Sequence, residues 1–330
     1  KVKGPELETI ALLGSNLLNN DLESIIRINY LCDEYGLDTI TFGSSVGLAM
    51  ELNEKGLWNN GLSFGDVSGL EELVKLVATR TGFGDDIAQG TKRMSEKYGG
   101  KEFAMHVKGL EVAAYEPRAA QGMGLGYATS NRGGCHLNGG YLVALEGLGL
   151  RISGASTMGK AAFAIFFQDF MEAVSAGGTC LFTTLAVLPG PMISKPDSSI
   201  AKVINKLTPT FGGVVRLLHN QPWLMSMNIK AMMPFPYAIR LVTGYKMNIG
   251  KFIAAGERGF NLERVINIRQ GLKSSDDTLP QRLLKELQRS DDKHSKVKLD
   301  KMLKKYYRIR GWDEQGVPTQ SRLKRLGIGG

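Results

Sequence analysis

Asp33-Glu34-Tyr35-Gly36-Leu37-Asp38 constrains the fold of this chain more than any other stretch. Upstream, Leu22, Ile25, Ile26 and Cys32 recur at helical spacing behind a capping Asn20 or Asp21. Gly36 is a natural helix stop, because glycine takes the left-handed conformation without steric cost. Asp38 stands where an N-cap belongs, ahead of Thr39-Ile40-Thr41-Phe42 and the apolar Val46, Leu48, Ala49 and Met50. The expectation is a tight helix-Gly-Leu-helix corner that presents two carboxylates, with Leu37 anchoring it in the core.

Such a corner admits two readings. One is a capped turn in an all-helical domain. The other is a ligand site, since an aminopyrimidinone ring, as in a pterin, offers adjacent ring and exocyclic N–H groups. A carboxylate accepts these in parallel, strengthened by its charge.

A chain of 330 residues exceeds what one helical core organises, so two domains are expected, 1–100 and 101–330, with Gly99-Gly100-Lys101 as the break. The apolar share of 43% and mean hydropathy of -0.11 are those of an ordinary soluble protein. Cys32, Cys135 and Cys180 are too few and scattered for a disulfide framework, which implies a reducing, cytoplasmic setting. The apolar run Ala161 to Leu188 is interrupted by Gln168, Asp169 and Glu172, so it reads as a buried helix and not a membrane span. No membrane partner is expected. Net charge is +9, but residues 281–330 hold 14 Lys and Arg against 6 Asp and Glu, so +8 sits in the tail. A nearly neutral body argues against a nucleic-acid partner and leaves a basic tail for an acidic one.

Along the chain, Ile10 to Asn16 reads as a short buried strand or loop, and Ser68 to Val77 as a helix. Another helix is expected through Ile87, Ala88 and Met94 to Tyr98, and a strand over Phe103 to Leu110. A long helix from about Ser156 to Ser175 follows, then a Pro-rich stretch from Pro189 to Lys202. Leu217, Leu218, Trp223, Leu224 and Met225 are expected in packing, and helices through Phe252 to Ala254, Glu263 to Arg269 and Val297 to Tyr307. Glycines cluster at 122, 124, 126, 133, 134, 139 and 140, which implies backbone close to a ligand or to other backbone. Gly122-Met123-Gly124-Leu125-Gly126 lacks the strand and acidic residue of a dinucleotide fingerprint, yet its amides could face an anion, with Arg118 and Arg132 completing a phosphate site. His136 with Glu8 offers an acid/base pair for proton transfer, or is a satisfied core histidine. Cys180 is a metal ligand or a small buried apolar residue.

Taken together, these residues resemble the tungsten-containing aldehyde:ferredoxin oxidoreductase family. The resemblance rests on Gly4-Pro5-Glu6-Leu7-Glu8-Thr9, the Asp33 to Asp38 motif, and Phe103 to Glu111. It continues through Ala114-Tyr115-Glu116-Pro117-Arg118, Gly122 to His136, Gly256-Glu257-Arg258, Asp276 to Pro280 and Arg310-Gly311-Trp312-Asp313. It implies a mainly α fold: two helical domains flanking a bis-pterin cleft, with the family's N-terminal β-rich base domain absent from this chain. Lys1 is not a start methionine, consistent with the later part of something longer.

By the resemblance, Asp33, Gly36, Leu37 and Asp38 hold one pterin and Arg132 lies near the cofactor. Glu8 and His136 handle protons beside tungsten or molybdenum. Cys180 matches the fourth ligand of a 4Fe–4S cluster whose other three lie outside this chain. The implied chemistry oxidises a small aldehyde to a carboxylic acid and passes electrons through the cluster to ferredoxin, in partnership with the N-terminal portion. The family's second pterin motif, D-x-x-G-L-C, is here Ser175-Ala176-Gly177-Gly178-Thr179-Cys180, so Ser175 and Thr179 stand at cofactor-binding positions, with Ser175 a weaker acceptor than the family's Asp. Arg27-Ile28-Asn29-Tyr30 replaces the E-x-x-H of the family's dimer metal, so any homodimer is expected without it. Two further readings are open: an aromatic-thioester reductase subunit of the benzoyl-CoA type, and a cofactor-free interaction subunit from a split gene.

Overall fold

The computed structural model describes residues 2–148, 152–183, 195, 197–229, 233–293 and 295–329. It is mainly α, as the residues imply, and its chain divides into two compact units. The first comprises residues 1–114, 132–135 and 279–282, the second 115–131, 136–278 and 283–330. The contact boundary thus falls at Ala114, beyond the Gly99-Gly100-Lys101 break suggested by composition.

In the first unit, α1 (Leu7–Leu13) occupies the stretch expected as a strand or loop. Helix wins because it lets Thr9, Leu12 and Leu13 face inward, and because Gly43 of the facing helix has no Cβ to strike the Leu12 carbonyl. α2 (Leu22–Tyr35) is capped by Asp21, which accepts the Glu23 and Ser24 N–H groups at 2.9 and 3.2 Å. α3 (Thr39–Glu54) follows the corner, and α4 (Leu70–Ala78) buries Leu70, Leu73, Val74 and Val77 against the same core. The helix expected from Ile87 to Tyr98 is broken into α5 (Gly84–Ala88) and α6 (Gly90–Tyr98). At the break Gly90 has φ +79°, and the Glu111 carboxylate takes the Thr91 N–H and hydroxyl at 2.8 and 2.9 Å. The strand expected over Phe103 to Leu110 shrinks to a hairpin, β1 (His106–Val107) against β2 (Leu110–Glu111). Gly133 and Gly134 lie on that hairpin so closely that a Cβ on either would meet its carbonyl oxygens.

The second unit is built on α8 (Lys160–Ala176), preceded by the glycine-rich α7 (Gln121–Thr129). After it come α9 (Ser199–Leu207), α10 (Gly212–Asn220) and α11 (Phe235–Thr243). α12 (Ile249–Arg269), α13 (Gln281–Lys285, whose first two residues belong to the first unit), α14 (Leu299–Arg310) and α15 (Gln320–Leu326) complete it. The two segments expected near Phe252 and Glu263 are one continuous helix, α12. Phe170, Val174, Phe235, Phe252 and Ile253 pack into one core, with the Phe235 and Phe252 rings stacked 6.0 Å apart. The long apolar run ends as helix at Ala176; residues 184–188, and 189–194 with 196 of the Pro-rich stretch, lie outside the described residues. Leu218 and Met225 pack as expected, but Leu217 and Trp223 are 52% and 67% exposed. Among the described residues no helix is long and apolar enough to cross a membrane.

α8 and α12 touch backbone to backbone. Gly256 sits against the Asp169 carbonyl, where a Cβ would collide with main-chain atoms that cannot yield. Gly256→Ala should therefore destabilise the second unit by about 3 kcal/mol, the upper end of overpacking costs. Urea unfolding of the variant against wild type measures it; a change within about 0.5 kcal/mol would contradict this packing.

Candidate functional site

The Asp33–Asp38 stretch folds as the sequence implies. Gly36 adopts φ +71°, its N–H bonds the Asp33 carbonyl at 3.3 Å, and the Leu37 N–H bonds the Cys32 carbonyl at 2.8 Å. This pair of bonds is the Schellman ending of α2. Leu37 packs on the core, and Asp38 Oδ1 accepts the Thr41 N–H at 2.7 Å. Asp33 points its carboxylate from an exposed position. Beside the corner lies an open depression of about 320 Å³, lined by Leu37, Asp38, Thr41, Ser45, Val77 and Arg80 among others. Ser45 is 1% exposed and its Oγ has no hydrogen-bond partner among the described residues. A buried hydroxyl without a partner is costly, so this wall of the depression suits a polar ligand.

The second motif repeats the same turn. Gly178 has φ +72°, its N–H bonds the Ser175 carbonyl at 3.0 Å, and the Thr179 N–H bonds the Val174 carbonyl at 3.3 Å. Position by position this matches Gly36 with Asp33 and Leu37 with Cys32. The side chains differ. Thr179 turns its hydroxyl onto the Val174 carbonyl at 2.9 Å, where Leu37 reaches into a core. Ser175, Thr179 and Cys180 are all exposed. The reading of Cys180 as a buried apolar filler is thus overturned; its thiol is accessible at the end of the turn. Cys32 is the opposite case, with burial as the main cause that pushes its thiol up to about 12.

Glu8 belongs to the first unit with the first corner. Its Oε2 accepts the Ala114 N–H at 2.7 Å, and the neighbouring Thr9 hydroxyl meets Thr39 at 2.8 Å, tying α1 to the start of α3. Burial raises the Glu8 pKa, the Ala114 N–H opposes this, and the Asp38 charge adds to the rise. His136, in the second unit, is half-buried beside Tyr115 and Tyr141, ring centroids 5.3 and 5.6 Å away. The two tyrosine hydroxyls are 3.1 Å apart. Arg132 is exposed.

The phosphate site expected at the glycine-rich helix is not formed by these residues. The N–H groups of Gly122 and Met123 are taken by the Glu146 carboxylate at 2.8 and 2.9 Å. Arg118 is held by Glu116 through bonds of 2.9 and 2.8 Å. Gly126 is instead needed because the Gly139 carbonyl lies where its Cβ would be. Glu146 also meets Lys160 at 2.5 Å, both side chains 1% exposed. The separation of 14 residues across a non-periodic stretch gave no signal for this pair.

Sequence reasoning also missed a buried charge cluster in the second unit. Asp169, His219 and Glu257 converge with His219 Nδ1 3.2 Å from Asp169 and Nε2 3.5 Å from Glu257. Three such groups can ligate a metal, but here Arg310 pairs with Asp169, and Arg322 and Arg325 pair with Glu257. Three guanidinium groups already outweigh two carboxylates, so a further cation is disfavoured.

A family model described as "Aldehyde ferredoxin oxidoreductase, domains 2 & 3" matches residues 1–328. The tungsten-containing aldehyde ferredoxin oxidoreductases of Pyrococcus furiosus and Thermococcus kodakarensis are 35% and 36% identical over 99% of this chain and 49% of their own length. This chain therefore spans about half the length of the curated relatives it matches. A WOR-like subunit of an aliphatic sulfonate oxidoreductase from Pyrococcus furiosus is 33% identical over 40% of this chain and 23% of that protein. In fold, the chain is similar to the active site complex BamBC of benzoyl coenzyme A reductase, with a TM-score of 0.63 at 18% identity, over 100% of this chain and 50% of that one.

Substitutions at two positions test the first unit's site. Asp38→Ala should cost about 1 kcal/mol by urea unfolding, whereas Asp38→Asn, which caps equally well, should cost much less. Glu8 has a folded pKa above its unfolded one, so its contribution to stability is present at acid pH and is lost as pH rises through the folded value. Glu8→Gln keeps an acceptor for Ala114 without the buried charge. Its Tm relative to wild type should rise from acid to neutral pH; a difference independent of pH would remove the case for an elevated Glu8.

Proposed function

Because this chain belongs to the aldehyde ferredoxin oxidoreductase family, we propose that it is the pterin-binding, proton-handling portion of a tungsten (or molybdenum) oxidoreductase. The reaction is aldehyde plus water giving a carboxylic acid, two electrons and two protons, with the electrons accepted by a ferredoxin. The observation that carries this reading is the repeated turn: Gly36 and Gly178 close the same hydrogen-bonded ending, and each stands at the glycine position of a family motif.

The residues fit a pterin at the first corner. Asp33 and Asp38 supply carboxylates for an edge of N–H donors, and the Ser45 hydroxyl on the lining of the depression would take a further polar partner. At the second corner, Ser175 and Thr179 supply neutral acceptors and Cys180 a thiol for a cluster iron. Bound tungstopterin would supply the two-electron redox chemistry. Glu8 is anchored through Oε2, and burial favours its protonated form, which suits it to carry a proton. The His136 imidazole, beside two tyrosine rings, would accept and release the second proton. The partners in this reading are the N-terminal portion, ferredoxin and a small aldehyde.

The test is metal analysis and dye-coupled aldehyde oxidation on the protein joined to the portion its relatives carry. Stoichiometric tungsten or molybdenum with aldehyde-dependent viologen reduction supports the reading; a protein free of both metals ends it. His136→Gln should lower kcat by about 100-fold or more while metal content stays unchanged. Reduction of an aromatic thioester of coenzyme A, with no aldehyde activity, would favour the benzoyl-CoA-type alternative that Ser175 keeps open.

A further inference from the structure

α14 divides its cations by face. Arg310 turns inward, pairing with Asp169 and bonding Tyr306 and Gln168 at 3.1 Å each. Met302, Tyr306, Tyr307 and Ile309 share that buried side. Outward stand Lys301, Lys304, Lys305 and Arg308, all exposed, at helical spacing that sets them on one stripe. None of the four side chains forms an ion pair or hydrogen bond with the described residues. Like charges three and four residues apart repel, so this stripe weakens the helix that carries it. Folding does not require it, since the buried face does the packing.

Next to the stripe is an open depression of about 950 Å³, whose lining includes Leu303, Lys304, Tyr307, Arg308 and Trp312. Asp300, Asp313 and Glu314 lie on the same lining. A nucleic-acid backbone would meet those carboxylates as repulsion. A folded acidic protein offers discrete carboxylates to the stripe and its own donors or apolar atoms to the rest.

We infer that the outward face of α14 is the docking surface for a small acidic electron-carrier protein. This rests on the proposed reaction, which requires a carrier that leaves after accepting an electron. Docking steered by exposed charge gives that behaviour: fast association, modest affinity and steep salt dependence.

The experiment uses the full-length protein and a negatively charged ferredoxin. Binding is measured directly, by interferometry, at low and high salt. Wild type should bind at low salt and release at high salt. Charge reversal at all four positions (K301E, K304E, K305E, R308E) should weaken binding by about tenfold or more, and K304Q with K305Q should weaken it less, with Tm confirming that both variants fold. K202E with K206E, exposed cations on α9, should leave binding unchanged. In turnover, the four-fold reversal should raise KM for ferredoxin and leave viologen reduction as in wild type. Absence of ferredoxin binding, equal binding by the reversal variant, or an oligonucleotide captured by the stripe in its place would overturn the proposal. Absence of viologen reduction in wild type would instead count against the proposed reaction, while the binding measurement still decides the docking.

Discussion

The close approach of α8 and α12 at Gly256 sets the terms for the whole second unit. Two helices can come this near only if one lacks a Cβ at the crossing. Once they do, the buried polar groups of α8 have to be satisfied from elsewhere, because little water can enter. Gln168 bonds Thr129 of α7 at 3.0 Å and receives the Tyr306 hydroxyl of α14 at 2.6 Å. Asp169 takes Arg310, and Lys160 takes Glu146. Gln168 and Asp169, which interrupt the apolar run, thus act as addresses for α7 and α14. Buried pairs of this kind add little net stability over well-packed apolar residues, but removing one partner leaves a stranded charge.

The same logic appears where Arg264 pairs with Asp277 through bonds of 2.9 and 2.7 Å and gives a third to the Gly316 carbonyl. Asp277 also receives the Tyr307 hydroxyl at 2.5 Å. Both charged side chains are almost wholly buried. The last fifty residues, which look like a basic tail in the sequence, are in fact held by inward cations of their own, Arg310 on Asp169 and Arg322 on Glu257. Only the remaining cations, those with no inward partner, belong to the surface.

What the sequence revealed was local. The corner at Gly36, its caps and the equivalence of Ser175–Cys180 depend on short-range hydrogen bonds, so residue type and spacing suffice to read them. The helix at Leu7–Leu13 was missed because a run of seven residues has no decisive period; it is fixed by Gly43 on a different helix. Trp223 and Leu217 were assigned to packing because apolar residues usually pack, and nothing in their neighbours tells which side faces out. The glycine-rich segment was read as a cradle for an anion. Its chemistry was right and its occupant wrong, because the carboxylate that fills it comes from a residue with no sequence relation to it.

That internal carboxylate has a consequence for how the segment behaves toward solutes. The positive end of α7 is already neutralised by Glu146, and Glu146 is in turn neutralised by Lys160. A sulfate or phosphate from the medium would have to evict a tethered counter-ion whose effective concentration no buffer matches. The glycines there serve the chain's own interior, where Gly126 makes room for the Gly139 carbonyl.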